Sequence, residues 1–192
     1  MTIENWQKCY DMVKEFQDYF DGEIADIEDE QVHAFRMSLI NEEKKELIQA
    51  IKDNDEVSIM DGLCDLMYVG LGSYVKFNVD MWSITISALQ KVTLLYIDSH
   101  VECVIDLIKN ESNFMLAFAE VHRSNMSKAC TTIDEAHATI AQEKYKNCKF
   151  RFQPIDDKYL LFLDEDCPEL ELKKGKLIKS IGYSKANLLP FI

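Results

Sequence analysis

Apolar residues recur at helical spacing through most of this chain. In residues 3–20, Trp6, Cys9, Tyr10, Val13, Phe16 and Phe20 stand three and four apart, which predicts an opening amphipathic helix with Gln17 beside its stripe. Residues 21–30 form a polar link that caps the next helix. Projected at about 100° per residue from Val32, the residues Phe35, Leu39, Ile40, Leu47, Ala50 and Ile51 share one arc, while Asn41, Lys44, Lys45, Gln49 and Lys52 face away. Residues 52–56 (KDNDE) then turn the chain back into residues 57–75, apolar nearly all round, so the two helices are expected to be antiparallel neighbours. Further helices are expected at about 82–96, 98–109 and 111–127.

The pattern changes after Lys128. A helix is expected from Thr131 to about Lys146, followed by three short strands in CKFRFQPI, KYLLFLDE and GKLIKSI, with Asp156-Asp157 as a hairpin turn between the first two. The expected fold is therefore mainly α: a helical bundle over 1–128, with a helical insertion at about 81–118, and a small α+β appendage and tail over 129–192.

The anomaly lies among the acids. Glu43 and Glu46 fall inside the apolar arc of the second helix, with Glu42 at its edge. Asp61 and Asp65 stand one turn apart on the following helix, and Tyr68 and Gly72 continue their face. An isolated buried carboxylate costs several kcal/mol, roughly, and is normally paired or protonated. The nearby lysines lie on the opposite face and no buried base is expected, so up to five acids converging from two helices suggest a bound hard cation, Mg²⁺ or Mn²⁺. A solvated charged face with i,i+4 pairs is the plain alternative for EEKKE. A carboxylate-bridged di-iron site needs two Glu-x-x-His pairs, and only Glu30 with His33 has that spacing.

Composition narrows the classes. A net charge of −13 argues against nucleic acid or an anionic membrane as the main partner. It also repels a nucleotide unless cations neutralise the acidic centre. The six cysteines form no Cys-x-x-Cys pair and suit reduced thiols; with no signal peptide or long apolar run, a soluble cytoplasmic protein is expected.

LINEEKKELIQAI followed by DGLCDLMYVGLG resembles the two signature helices of the all-α NTP pyrophosphatases, the MazG-like group. AEVHRSNMSK (119–128) resembles the third segment of the subgroup near the phosphoribosyl-ATP pyrophosphohydrolases, and KGKLIKSIGYSKANLLPFI resembles the tail that follows it. The resemblance implies a MazG-like bundle that cleaves a nucleoside triphosphate to monophosphate and pyrophosphate. It implies Glu42, Glu43, Glu46 and Asp65 around Mg²⁺, with Asn125 and Lys128 touching the nucleotide. Where many members carry a Glu, this chain has Gly62, and Asp61 is the substitute ligand. Arg123 is a further anion contact, and Gln17, Trp6 and Tyr68 are candidates for the pocket lining. A homo-oligomer, dimer or tetramer, is expected with helices 82–127 at its interface. Two rival readings are a non-catalytic helical binding module holding a structural cation, and a diphosphatase for a phosphoribosyl-linked nucleotide.

Overall fold

The computed structural model describes residues 1–20, 28–78 and 110–192. The helices expected at 82–96 and 98–109 lie outside the described residues, as does most of the link at 21–30. Over the described residues the protein is mainly helical, with one small antiparallel sheet near the C-terminus. No described helix is long and apolar enough to cross a membrane. The chain forms two compact units, Met1–His122 with Asn187–Ile192, and Arg123–Ala186.

The first unit is built on α1 (Ile3–Phe20), α2 (Glu30–Asp53) and α3 (Glu56–Lys76). Asp29 caps α2 by accepting from the N–H groups of Gln31 (2.9 Å) and Val32 (3.1 Å). At the other end Asn54 takes a left-handed backbone (φ 52°) and donates its N–H to the carbonyls of Ala50 and Ile51. Asp55 then opens α3, accepting from Ser58 N–H (3.1 Å) and Ser58 Oγ (2.7 Å). Two residues thus stop one helix and start the next, so α2 and α3 run antiparallel. They pack tightly at Gly62, where a Cβ would sit 3.1 Å from the Leu47 backbone. The core comprises Cys9, Val13, Leu47, Ile59, Met60, Cys64 and Leu71 with Phe114, Ala117 and Phe118 of α4 (Glu111–Met126). Phe35, expected in the core, is instead 57% exposed. The buried residue of that turn is Arg36.

The second unit carries α5 (Ile133–Ile140) and strands β1 (Phe150–Ile155), β2 (Lys158–Leu163) and β3 (Leu177–Ile178), in the order β1-β2-β3 and antiparallel throughout. Asp156 turns the hairpin with φ 49°. Thr132 caps α5 through Glu135 N–H (3.1 Å). The helix stops well short of Lys146. Thr139 Oγ bonds back to the Glu135 carbonyl (2.8 Å) and the Gln142 side chain takes the Thr139 carbonyl (2.9 Å), leaving only a 3₁₀ turn at Glu143–Tyr145. Cys130, Ala136, Tyr145, Leu161, Leu163, Cys167 and Ile178 make this unit's own core. The five described cysteines are free thiols.

Candidate functional site

The α2–α3 hairpin brings the acids onto one electrostatic centre. Glu43 is half-buried between the helices, and its pKa is raised from 4.5 to about 7. Desolvation is the largest cause; the negative charges of Asp65, Glu46, Glu42 and Asp61 follow in that order. The other four acids singled out by the helical projection therefore all act on Glu43. Asp61 and Asp65 are partly buried, while Glu42 and Glu46 are exposed, although the projection put Glu46 inside the apolar arc. Among the described residues no three His, Cys, Asp or Glu side chains are assembled to grip a metal ion as they stand. The donor set fits a hard divalent cation in kind and charge, because it consists of carboxylate oxygens whose mutual repulsion a cation would relieve.

Gly62 has a local explanation. A Cβ at that position would stand 3.1 Å from Leu47, which would have to yield by a few tenths of an ångström, so the close packing of α2 on α3 favours glycine there. Asp61, one residue earlier, lies within electrostatic reach of Glu43.

A buried base stands two turns from Glu43 on α2. Arg36 is 7% exposed; its Nη2 donates to the Val69 carbonyl (2.8 Å) and its Nε to Ser73 Oγ (3.2 Å). Sequence reasoning missed it, although Arg36 falls at about 40° on the same arc as Glu43. Gln17, also 7% exposed, donates from Nε2 to the Gly72 carbonyl (3.0 Å). Gln17 and Arg36 thus tie α1 and α2 to the later turns of α3. Trp6 is partly buried on α1.

Tyr68, one turn beyond Asp65, is 6% exposed, and its hydroxyl lies 2.9 Å from His122 Nδ1. His122 Nε2 in turn lies 3.3 Å from Glu15 Oε2. Residues from α1, α3 and α4 thus form a Tyr–His–Glu series that no local sequence pattern signals, since its members stand more than fifty positions apart.

Arg123, Asn125 and Lys128 belong to the second unit. Lys128 Nζ donates to Asn125 Oδ1 (2.6 Å), and Arg123 Nη2 to the carbonyls of Ser184 (3.4 Å) and Lys185 (3.3 Å). Ser180 N–H donates to the Lys128 carbonyl (3.0 Å), so this segment and the basic tail are laced together. The five acids, with Tyr68 and Gln17, are gathered in the first unit.

Comparison with known proteins places this hairpin. Residues 13–90 match the family model described as phosphoribosyl-ATP pyrophosphohydrolase. This stretch is similar to that family, which is part of the MazG-like NTP pyrophosphatase superfamily. The matched segment contains α2, α3 and all five acids. It supports a pyrophosphohydrolase-type activity. Over most of its length the chain is also similar to an uncharacterized protein of Acanthamoeba polyphaga mimivirus, 28% identical across 88% of this chain and 86% of the relative. No solved structure matches.

The raised pKa of Glu43 has a consequence for stability. The folded protein holds this proton more tightly than the unfolded chain, so the stabilisation is complete below about 4.5 and is lost as pH rises towards about 7. In EDTA, the melting temperature of the native protein relative to Glu43→Gln is expected to fall across that window. A difference that stays flat with pH, measured by calorimetry, would show that Glu43 titrates normally.

Proposed function

We propose that the protein is a divalent-cation-dependent pyrophosphohydrolase of the MazG-like bundle type, cleaving a (deoxy)nucleoside triphosphate to monophosphate and pyrophosphate. The observation that carries this reading is the convergence of Glu42, Glu43, Glu46, Asp61 and Asp65 on the α2–α3 hairpin, within the family-matched stretch. Glu43, Glu46, Asp61 and Asp65 would hold Mg²⁺, or Mn²⁺, with Glu42 beside them. When bound, the cation supplies charge neutralisation at the phosphate oxygens and lowers the pKa of a coordinated water.

The chain's own residues supply the remainder. Glu43, its pKa raised to about 7 by burial and by the neighbouring negative charges, takes up a proton near neutral pH that a bound cation would displace, and its carboxylate would then face the cation and its coordinated water. Glu42, exposed at the rim, can accept a hydrogen bond that orients this water. Arg36 and Gln17, anchored to carbonyls of α3, hold the helices in register so that Asp61 and Asp65 stay opposite the glutamates. Arg123, Asn125 and Lys128 are assigned to the anionic oxygens of the nucleotide, for which ammonium, guanidinium and amide donors are suited. Tyr68 is assigned to the pocket lining. The exposed Phe35, Met37 and Leu116 support a homo-oligomer, which a monomeric mass in light scattering at micromolar concentration would contradict.

The deciding experiment is a panel of canonical and modified (d)NTPs, with phosphoribosyl-ATP as a separate arm, incubated with Mg²⁺ and resolved by product. Nucleoside monophosphate and pyrophosphate are expected in equal amounts, and Lys128→Ala should raise KM. Turnover of phosphoribosyl-ATP alone would select the phosphoribosyl-linked reading. Absence of any product would select a non-catalytic module with a structural cation.

A further inference from the structure

The second unit contains a cleft of about 400 Å³ between the 3₁₀ turn after α5 and the segment running through β3. Its lining includes Lys144, Lys176 and Lys179. In a chain with 34 acidic residues, no Asp or Glu lines it among the described residues. Three other lysines of this unit stand in exposed ion pairs: Lys146 with Glu143 (2.7 Å), Lys149 with Glu165 (2.8 Å) and Lys173 with Asp166 (3.0 Å). The three cleft lysines stand in no such pair among the described residues. Two are held over aromatic faces instead, Lys144 Nζ at 4.7 Å from the Tyr145 ring centre and Lys179 Nζ at 4.3 Å from that of Tyr183. A cation–π contact orders an ammonium group without cancelling its charge. Glu135 stands behind Ser180, already taking the hydroxyl hydrogen of Ser180 together with the Thr131 N–H and hydroxyl (both 2.7 Å).

We propose that this cleft is a binding site for a small phosphorylated organic molecule of nucleotide size, distinct from the carboxylate centre on α2 and α3. Three uncompensated ammonium groups suit a multiply charged phosphate better than a single carboxylate. The volume exceeds what a bare phosphate ion needs and lies in the range of small-molecule sites, roughly 300–1,000 Å³. Leu177 and Tyr183 give an apolar wall for the organic part. All of these residues lie within 142–183, so the site is complete in the second unit. It also gives the basic tail a role of its own, whatever the reaction at the acids proves to be.

The test is titration calorimetry of the full-length protein in EDTA, with adenosine monophosphate and adenosine as probes. Without divalent cations the five acids repel an anion, so the hairpin centre does not contribute. Adenosine monophosphate is expected to bind saturably, with a dissociation constant of about 1 mM or below, and adenosine not to bind. Lys176→Ala/Lys179→Ala should weaken binding on the order of tenfold. Lys146→Ala/Lys149→Ala, which removes the same charge outside the cleft, and Glu46→Gln, in the acidic centre, should leave it unchanged. The proposal is overturned by no saturable binding, by adenosine binding as tightly as its monophosphate, or by equal losses in the two lysine pairs. Loss of pyrophosphohydrolase activity in Glu46→Gln bears only on the hairpin reading.

Discussion

Asp65→Asn is expected to slow pyrophosphate release by about 10²–10³-fold, the usual cost of removing one preorganised electrostatic group from such a centre. Asp65 exerts the strongest charge effect on Glu43 and sits on α3, directly in the family-matched stretch. Asparagine keeps the shape and removes the charge, so the fold should survive. Two opposite stability effects separate a ligand from a structural residue. In EDTA the variant should be at least as stable as the native protein, because one repulsion at Glu43 is gone. With Mg²⁺ the native protein should gain melting temperature and the variant should gain less, since only the folded native centre binds the ion tightly. Turnover within about threefold of the native value, with equal Mg²⁺ stabilisation, would remove Asp65 from the centre.

Gly72→Ala is expected to destabilise the protein by about 1–3 kcal/mol, far more than an alanine normally costs in a helix. By propensity alone the change should help by about 1 kcal/mol. The added methyl, however, would stand within contact distance of Arg36 Nη2 and 2.6 Å from Gln17 Nε2. Both atoms end flexible side chains, yet both are anchored in the interior, one to the Val69 carbonyl and the other to the Gly72 carbonyl. Moving either strands a buried donor. Chemical denaturation measures the effect directly, and a variant as stable as the native protein would show that the Gln17–Arg36 anchor relaxes freely. Gly62→Ala should cost less, because Leu47 need yield only a few tenths of an ångström there.

The acidic centre was legible because carboxylates inside an apolar helical arc break the ordinary pattern, and the short Asn54-Asp55 link forces the two helices together. Arg36 lies on the same projected arc, but its burial depends on partners from α3, the Val69 carbonyl and Ser73 Oγ, which the α2 pattern does not show. Phe35 illustrates the opposite failure: apolar character and arc position do not secure burial, and the buried side chain of that turn is the neighbouring arginine. The β1–β2 hairpin was readable from Asp156-Asp157. The length of α5 was not, since Thr139 and Gln142 end it through bonds that compete with the helix. Strand β3 contains only Leu177–Ile178 because the chain then turns to pair Ser180 N–H with the Lys128 carbonyl, a contact fifty residues away in sequence. The Tyr68–His122–Glu15 series is likewise tertiary in origin and has no local signature.

Attack at the α-phosphorus of a nucleoside triphosphate is tested most directly by turnover in ¹⁸O-labelled water with Mg²⁺ present, followed by mass spectrometry of both products. The label is expected in the nucleoside monophosphate and absent from pyrophosphate. Label in pyrophosphate, release of orthophosphate in its place, or no hydrolysis of any triphosphate would contradict the account.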